Sequence, residues 1–151
     1  MRFTAVTADA GRGRIAIPVP FDPDGTWGAK PVHRVHGTVD GCGVRAVVEA
    51  DGDGWRIVMG PAWNPGIAPG RTVEVELAPE GPQRGDLAPD LAAALAANPA
   101  AGAFFDSLAQ FYRRAYLRWI DGTRRRPDER VRRIAHVVEL LEQGIKERPR
   151  G

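Results

Sequence analysis

Two apolar stripes at helical spacing occupy residues 104–144, and they restrict the last third of the chain to one kind of structure. Phe105, Leu108, Tyr112, Ala115 and Trp119 recur at intervals of three and four, as do Val131, Ile134, Val138, Leu141 and Ile145. That interval puts each set on one face of an α-helix. Between the stripes lies DGTRRRP, whose Gly, Thr and Pro fit a helix–helix connection. Pro127 suits a first helical position, and Asp128 and Glu129 place acids in the first turn against the dipole. The expectation is a helical hairpin in which the Tyr112/Trp119 stripe packs on the Val131/Val138 stripe and Trp119 is buried.

Arginine crowds the same segment. The formal net charge is only +2, yet residues 1–103 hold nine Lys/Arg against twelve Asp/Glu, while residues 104–151 hold twelve against seven. Arginine favours bidentate pairing with carboxylate or phosphate over loose solvation. Asp128 and Arg132 stand four apart, as do Glu129 and Arg133, each with the acid N-terminal, so these arginines have local partners. No such pairing is expected for Arg113, Arg114, Arg124, Arg125 and Arg126. They are candidate binding residues for an anionic partner, with a merely solvated, salt-bridged surface as the alternative.

The first half reads as β structure. Residues 2–9, 14–20, 31–40, 43–50, 54–60 and 71–78 are short segments rich in Val, Ile and Thr, separated by Gly, Pro and Asp. Asp40-Gly41 is a strong hairpin signal. In the last segment Val73, Val75 and Leu77 alternate with Glu74 and Glu76, which places the apolar residues on a core face. About six such strands make a small barrel or sandwich, so the class is α+β: an N-terminal β-barrel followed by a basic helical segment. Two Pro-rich loops, residues 21–31 and 60–70, carry Trp27 and Trp63. Each tryptophan is either a binding residue or a plug for an end of the barrel. The expected boundaries are a barrel at 1–79, a linker at 80–88 and a helical module at 89–147, in which Pro89 opens a short helix closed by Asn98-Pro99.

Several chemistries find little material. Cys42 is the only cysteine, so it has no internal disulfide partner, and a reduced thiol is expected. No signal-peptide h-region or membrane-spanning run is evident, which makes a cytoplasmic location the expectation. His33 and His36, three apart in a strand, point to opposite faces and do not converge on a metal. The DGDG at residues 51–54 lacks the glutamate a calcium loop needs and reads as a hairpin turn. Ser107 is the only serine and has no nucleophile-elbow context. No cofactor, metal or catalytic residue is assigned.

A family resemblance rests on Leu108, Tyr116, Trp119-Ile120, Arg124-Arg125, Arg130, Arg132-Arg133-Ile134, Leu141 and Gly144. Together they resemble the YdeI/OmpD-associated, bacteriocin-protection module. His36-Gly37-Thr38-Val39-Asp40-Gly41, the GDG turn at 52–54 and Pro69-Gly70-Arg71-Thr72-Val73 resemble the domain of unknown function often fused upstream of it, which implies a double-split β-barrel. The resemblance implies a link to protection from antimicrobial peptides and brings no catalytic residues.

The reading favoured by these residues is a non-enzymatic binding protein. Its partner is a protein, peptide or small molecule of anionic or amphipathic character, and a homodimer is compatible with it. The alternative is a nucleic-acid-binding protein using the arginine-rich hairpin. Against that stands the net acidity of residues 1–103, since the basic pI of about 9.1 is carried by one end of the chain.

Overall fold

In the computed structural model, which describes residues 1–149, the chain divides into two units, Met1–Pro79 and the residues from Glu80 onward. The first unit is a curled antiparallel sheet of seven strands. These are β1 (Arg2–Val6), β2 (Ala8–Gly11), β3 (Arg14–Val19), β4 (His33–Val39), β5 (Cys42–Asp51), β6 (Gly54–Met59) and β7 (Thr72–Pro79), in the order β1-β7-β4-β5-β6-β3-β2. The two outermost strands, β1 and β2, are consecutive in sequence and separated by Thr7 alone. Six strand gaps of about 4.8 Å would put the edges of a flat sheet roughly 29 Å apart, far beyond the reach of one residue. The sheet therefore curls until its edges come together.

Thr7 also explains why there are seven strands rather than the expected six. Its side chain is buried, with the hydroxyl donating to the Ala68 carbonyl at 2.7 Å and accepting from the Arg71 amide at 3.1 Å. Its own amide donates to Arg71 and its carbonyl accepts from Gly70. These bonds hold the chain while it changes partner from β7 to β3, which splits residues 2–9 into two strands. The hairpin at Asp40-Gly41 forms as expected, with φ of 48° and 80°, the two positive values a type I′ turn needs. Val73, Val75 and Leu77 are buried and pack with Ile15, Ile17, Val35, Val39 and Ile57 in the interior. The loop expected at 21–31 contains a short helix, α1 (Pro23–Trp27), because Asp22 caps it by accepting from the Asp24 amide.

The second unit opens with a 3-10 turn at Arg84–Asp86, followed by α2 (Pro89–Ala96), α3 (Pro99–Ser107), α4 (Gln110–Asp121) and α5 (Pro127–Glu142). Proline stands at the start of α2, α3 and α5, where its missing N–H is no loss. Asn98 both follows α2 and caps α3, its side chain accepting from the Ala101 amide at 3.1 Å. The core joins Leu91, Leu95, Phe105, Leu108, Tyr116, Ile120, Ile134, Val137, Leu140 and Leu141.

Here the packing departs from the expected hairpin seam. The stripe from Phe105 to Trp119 is not one helix, because Leu108 and Ala109 are extended between α3 and α4. On α4 the inward line is Arg113, Tyr116 and Ile120; Tyr112 and Trp119 flank it half-buried, so Trp119 is not buried as expected. Val131, expected in the seam, is 68% exposed. The reason is that α5 packs against α2 and α3 as well as α4. Its buried arc is centred on Ile134, Val137 and Leu141 rather than on a line facing α4 alone.

Candidate functional site

The arginines of the helical unit fall into two groups once their surroundings are known. Arg113 belongs to the first. It is 2% exposed, and its guanidinium donates to the carbonyls of Leu108 at 2.9 Å, Pro82 at 2.8 Å and Asp106 at 2.7 Å. The last turn of a helix leaves carbonyls without partners, and this side chain satisfies those at the end of α3. Glu80, also buried, accepts from the amide of Gln110 at 2.7 Å, at the start of α4. A cation on the C-terminal pole of one helix and an anion on the N-terminal pole of the next are both favourable placements. The α3–α4 corner is thus built on Arg113 and Glu80, and Arg113 is corrected from a candidate binding residue to a structural one.

Other arginines are engaged in the same unit. Arg84 makes a bidentate pair with Asp106, both contacts at 3.1 Å. Arg130 reaches Asp90 at 2.6 and 3.0 Å and Asp121 at 3.1 Å, tying α2, α4 and α5 together. Its hydrogen bonds hold the Asp90 carboxyl below the usual carboxylate range and push the guanidinium's own pKa up. Arg133 donates to the Trp119 carbonyl at 2.7 Å and lies over the Trp119 ring at 4.6 Å. Glu129 takes both Arg132 and Arg133 at 3.5 Å, so the expected Asp128–Arg132 pair gives way to Glu129–Arg132.

Arg114, Arg118, Arg124, Arg125 and Arg126 form the second group. All are exposed, and among the described residues their side chains have no hydrogen bond, ion pair or ring contact. Arg114 and Arg118 stand one turn apart on the outer side of α4, beside Phe111, which is 64% exposed. Arg118 was not among the expected site residues, although its spacing signals it. Like charges at i and i+4 destabilise an isolated helix, so an unneutralised pair there is not explained by helix stability. Arg124, Arg125 and Arg126 follow the end of α4 in hydrogen-bonded turns. They precede α5, whose N-terminal pole also repels cations.

In the sheet unit, Trp27 and Trp63 are half-buried against the core. Trp27 meets Phe21 edge-on at 5.1 Å, and Phe21 meets Phe3 at 5.8 Å. The Trp63 indole donates to the Gly43 carbonyl at 2.7 Å. Both indoles are thus engaged by residues of the same unit. Beside Trp27, the buried His33 bonds the Asp24 carboxyl, which this bond and the Lys30 amide hold below the usual carboxylate range. His36 is exposed. An open groove of about 520 Å³ lies over β1, β4 and β7, lined by Arg2, Thr4, Asp40 and Glu74 among others and by none of the tryptophans. Within its lining Arg2 pairs with Glu76 at 3.5 Å, and Asp40 pairs with Arg71, outside the lining, at 3.3 Å. Ser107 donates its hydroxyl to the Phe104 carbonyl within α3. Among the described residues no three His, Cys, Asp or Glu side chains are placed to hold a metal ion, and no helix is long and apolar enough to cross a membrane.

The part of the chain that carries the free arginines is also the part with a known relationship. Residues 86–144 match the OmdA family. That family is described as bacteriocin-protection, YdeI or OmpD-associated. The OmdA match spans α2 to α5, including Arg113 and all five free arginines but not Glu80, and leaves the sheet unit outside it. No curated protein matches the chain.

Proposed function

We propose that the helical unit is a non-enzymatic binding module for an anionic protein or peptide, engaged by Arg114, Arg118, Arg124, Arg125 and Arg126. The observation that carries this reading is the division of the arginines. Those that serve the fold are paired with carboxylates, carbonyls or rings, whereas these five are exposed and have no partner among the described residues. Guanidinium forks bind carboxylates bidentately, and Phe111 beside Arg114 and Arg118 adds an apolar anchor. The family description supplies a setting for such a module, bacteriocin protection. The partner we favour carries an acidic patch with an apolar residue beside it.

A nucleic acid is the competing partner, and salt dependence separates the two. Titration with duplex DNA and with an acidic, Leu-containing peptide at low and physiological salt is the test. The peptide is expected to bind at both salt concentrations and to lose at least tenfold in affinity in an Arg124→Ala/Arg125→Ala/Arg126→Ala variant. DNA association is expected to vanish at physiological salt, because phosphate contacts are lost steeply as counterions compete. DNA binding that persists at physiological salt and disappears in the variant would replace this reading with the nucleic-acid one.

A further inference from the structure

The opposite flank of α4 carries a different chemistry. A rotation of 100° per residue puts Tyr112, Tyr116 and Trp119 on one stripe and Arg114 and Arg118 on the far side of the helix. Across that aromatic stripe lies the chain's own segment after α5. Gly144 adopts φ 74°, its amide donating to Leu141 at 3.0 Å, and the Ile145 amide donates to Leu140 at 2.9 Å. This is the Schellman termination, which turns the chain sharply off the helix end. The Ile145 carbonyl then accepts the Tyr116 hydroxyl at 2.5 Å. Burial pushes the Tyr116 pKa up to about 12, so the phenol keeps the proton it donates. The Lys146 ammonium sits 5.0 Å from the Tyr112 ring centre, and the Arg148 guanidinium 4.2 Å from that of Trp119.

We infer that the Tyr112/Trp119 flank of α4, whose Trp119 ring already carries the Arg133 guanidinium, is a seat for further cationic side chains, occupied here by Lys146 and Arg148, and that a basic peptide segment of a partner takes the place of these two. Three observations support it. The backbone hydrogen bonds that end α5 come from the Gly144 and Ile145 amides, so neither Lys146 nor Arg148 is needed for them. Neither has a carboxylate partner among the described residues; what holds them is the electron-rich ring faces. The last turn of α5 contains no basic residue, so Lys146 and Arg148 are the first cations after its negative pole. Residues 146–149 are exposed, so the segment is a covering held at its inner edge rather than part of the core. The chemistry it displays is an apolar residue followed by two cations two positions apart. The seat is independent of the anion-binding face, and either can fail alone.

A tethered segment competes at an effective concentration in the millimolar range, so an outside peptide gains access when the tether's own cations are removed. The experiment uses the full chain, wild type and a Lys146→Ala/Arg148→Ala variant that keeps Gly144 and Ile145. Each is titrated with the peptide Ile-Lys-Glu-Arg-Pro and with the charge-reversed Ile-Glu-Lys-Glu-Pro, while the Trp119 indole N–H is followed by NMR. The basic peptide is expected to bind the variant at least tenfold more tightly than wild type and to shift Trp119. The charge-reversed peptide is expected to leave Trp119 unmoved, and Trp119→Leu in the variant to abolish binding. If circular dichroism shows the double variant unfolded, Arg148→Ala alone is used, with the same direction expected. Equal affinity for the two proteins, equal response to the two peptides, or binding that leaves Trp119 unshifted in a folded variant would overturn the inference.

Discussion

Replacing Arg113 by alanine tests whether the α3–α4 corner is held as described. The substitution removes the guanidinium that reaches the Leu108, Pro82 and Asp106 carbonyls, and it withdraws a cation lying 5.1 Å from the Phe105 ring centre. Stranding a buried acceptor costs about 1–3 kcal/mol. Simple addition over three carbonyls overshoots, because the vacated space admits water and the desolvation of the charge is recovered. Removing one member of a buried charged network costs about 3–5 kcal/mol in practice, and that is the expected loss. A unit of about 70 residues has roughly 4–10 kcal/mol of stability in all. The variant's helical unit should therefore be marginal at ambient temperature.

The assay is urea unfolding followed by far-ultraviolet circular dichroism, whose helical signal comes overwhelmingly from α2–α5. Arg114→Ala is the internal control: same residue type, adjacent position, exposed and unpaired, with an expected change within about 0.5 kcal/mol. Arg113→Lys should recover only part of the loss, since one ammonium cannot span acceptors that a planar fork reaches at 2.7–2.9 Å. An Arg113→Ala variant whose stability lies within about 1 kcal/mol of Arg114→Ala would refute the structural role and return Arg113 to the binding surface.

Gly37→Ala should disrupt the sheet unit: the added Cβ would lie 1.8 Å from the Glu76 carbonyl oxygen, so β4 and β7 must part. A loss of about 3 kcal/mol or more is expected in thermal unfolding, against almost none for Gly43→Ala, where the space is open. Acid titration should reveal the Asp90–Arg130 bridge. Because the Asp90 carboxyl is held below its ordinary value, its contribution is present above about pH 4 and is lost as pH falls through the depressed pKa. The bridge is partly exposed, so the effect is at most about 1 kcal/mol. Asp90→Asn should remove that part of the acid sensitivity, and an unchanged profile would count against the bridge.

The strands were legible because each carries its own evidence: alternation in β7, the Asp-Gly turn between β4 and β5, and Gly or Pro at most boundaries. Thr7 was not legible as a strand break, since nothing local marks it. Its role comes from residues 68–71, more than sixty positions away. The helix starts at Pro89 and Pro127 were readable for the same local reason the strands were. The break at Leu108–Ala109 was hidden, because apolar spacing continues unbroken through it and the groups that end α3 and open α4 are Arg113 and a distant Glu80.

The arginines show where such reading stops and why. Pairing rules at three and four positions identify partners within one helix, and they correctly supplied Glu129 for Arg133. They are silent on backbone carbonyls and on acids from other elements, and those decide the rest. Arg113 and Arg114 look alike in sequence, each an arginine without an acid at helical spacing. In the fold, α4 turns one inward onto the carbonyls that end α3 and the other outward beside Phe111. Arg130, equally unmarked, is taken by Asp90 from α2 and Asp121 from α4. Free arginines are therefore recognised by elimination in three dimensions, after every carbonyl, ring and carboxylate within reach has been assigned. Among the described residues the five left over lie on α4's outer face and in the connection that follows it. There the helix ends give no help in holding them, since one pole is left behind at Asp121 and the next, at Pro127, repels them. The anionic partner proposed above would relieve both the mutual repulsion of these charges and their placement at that pole.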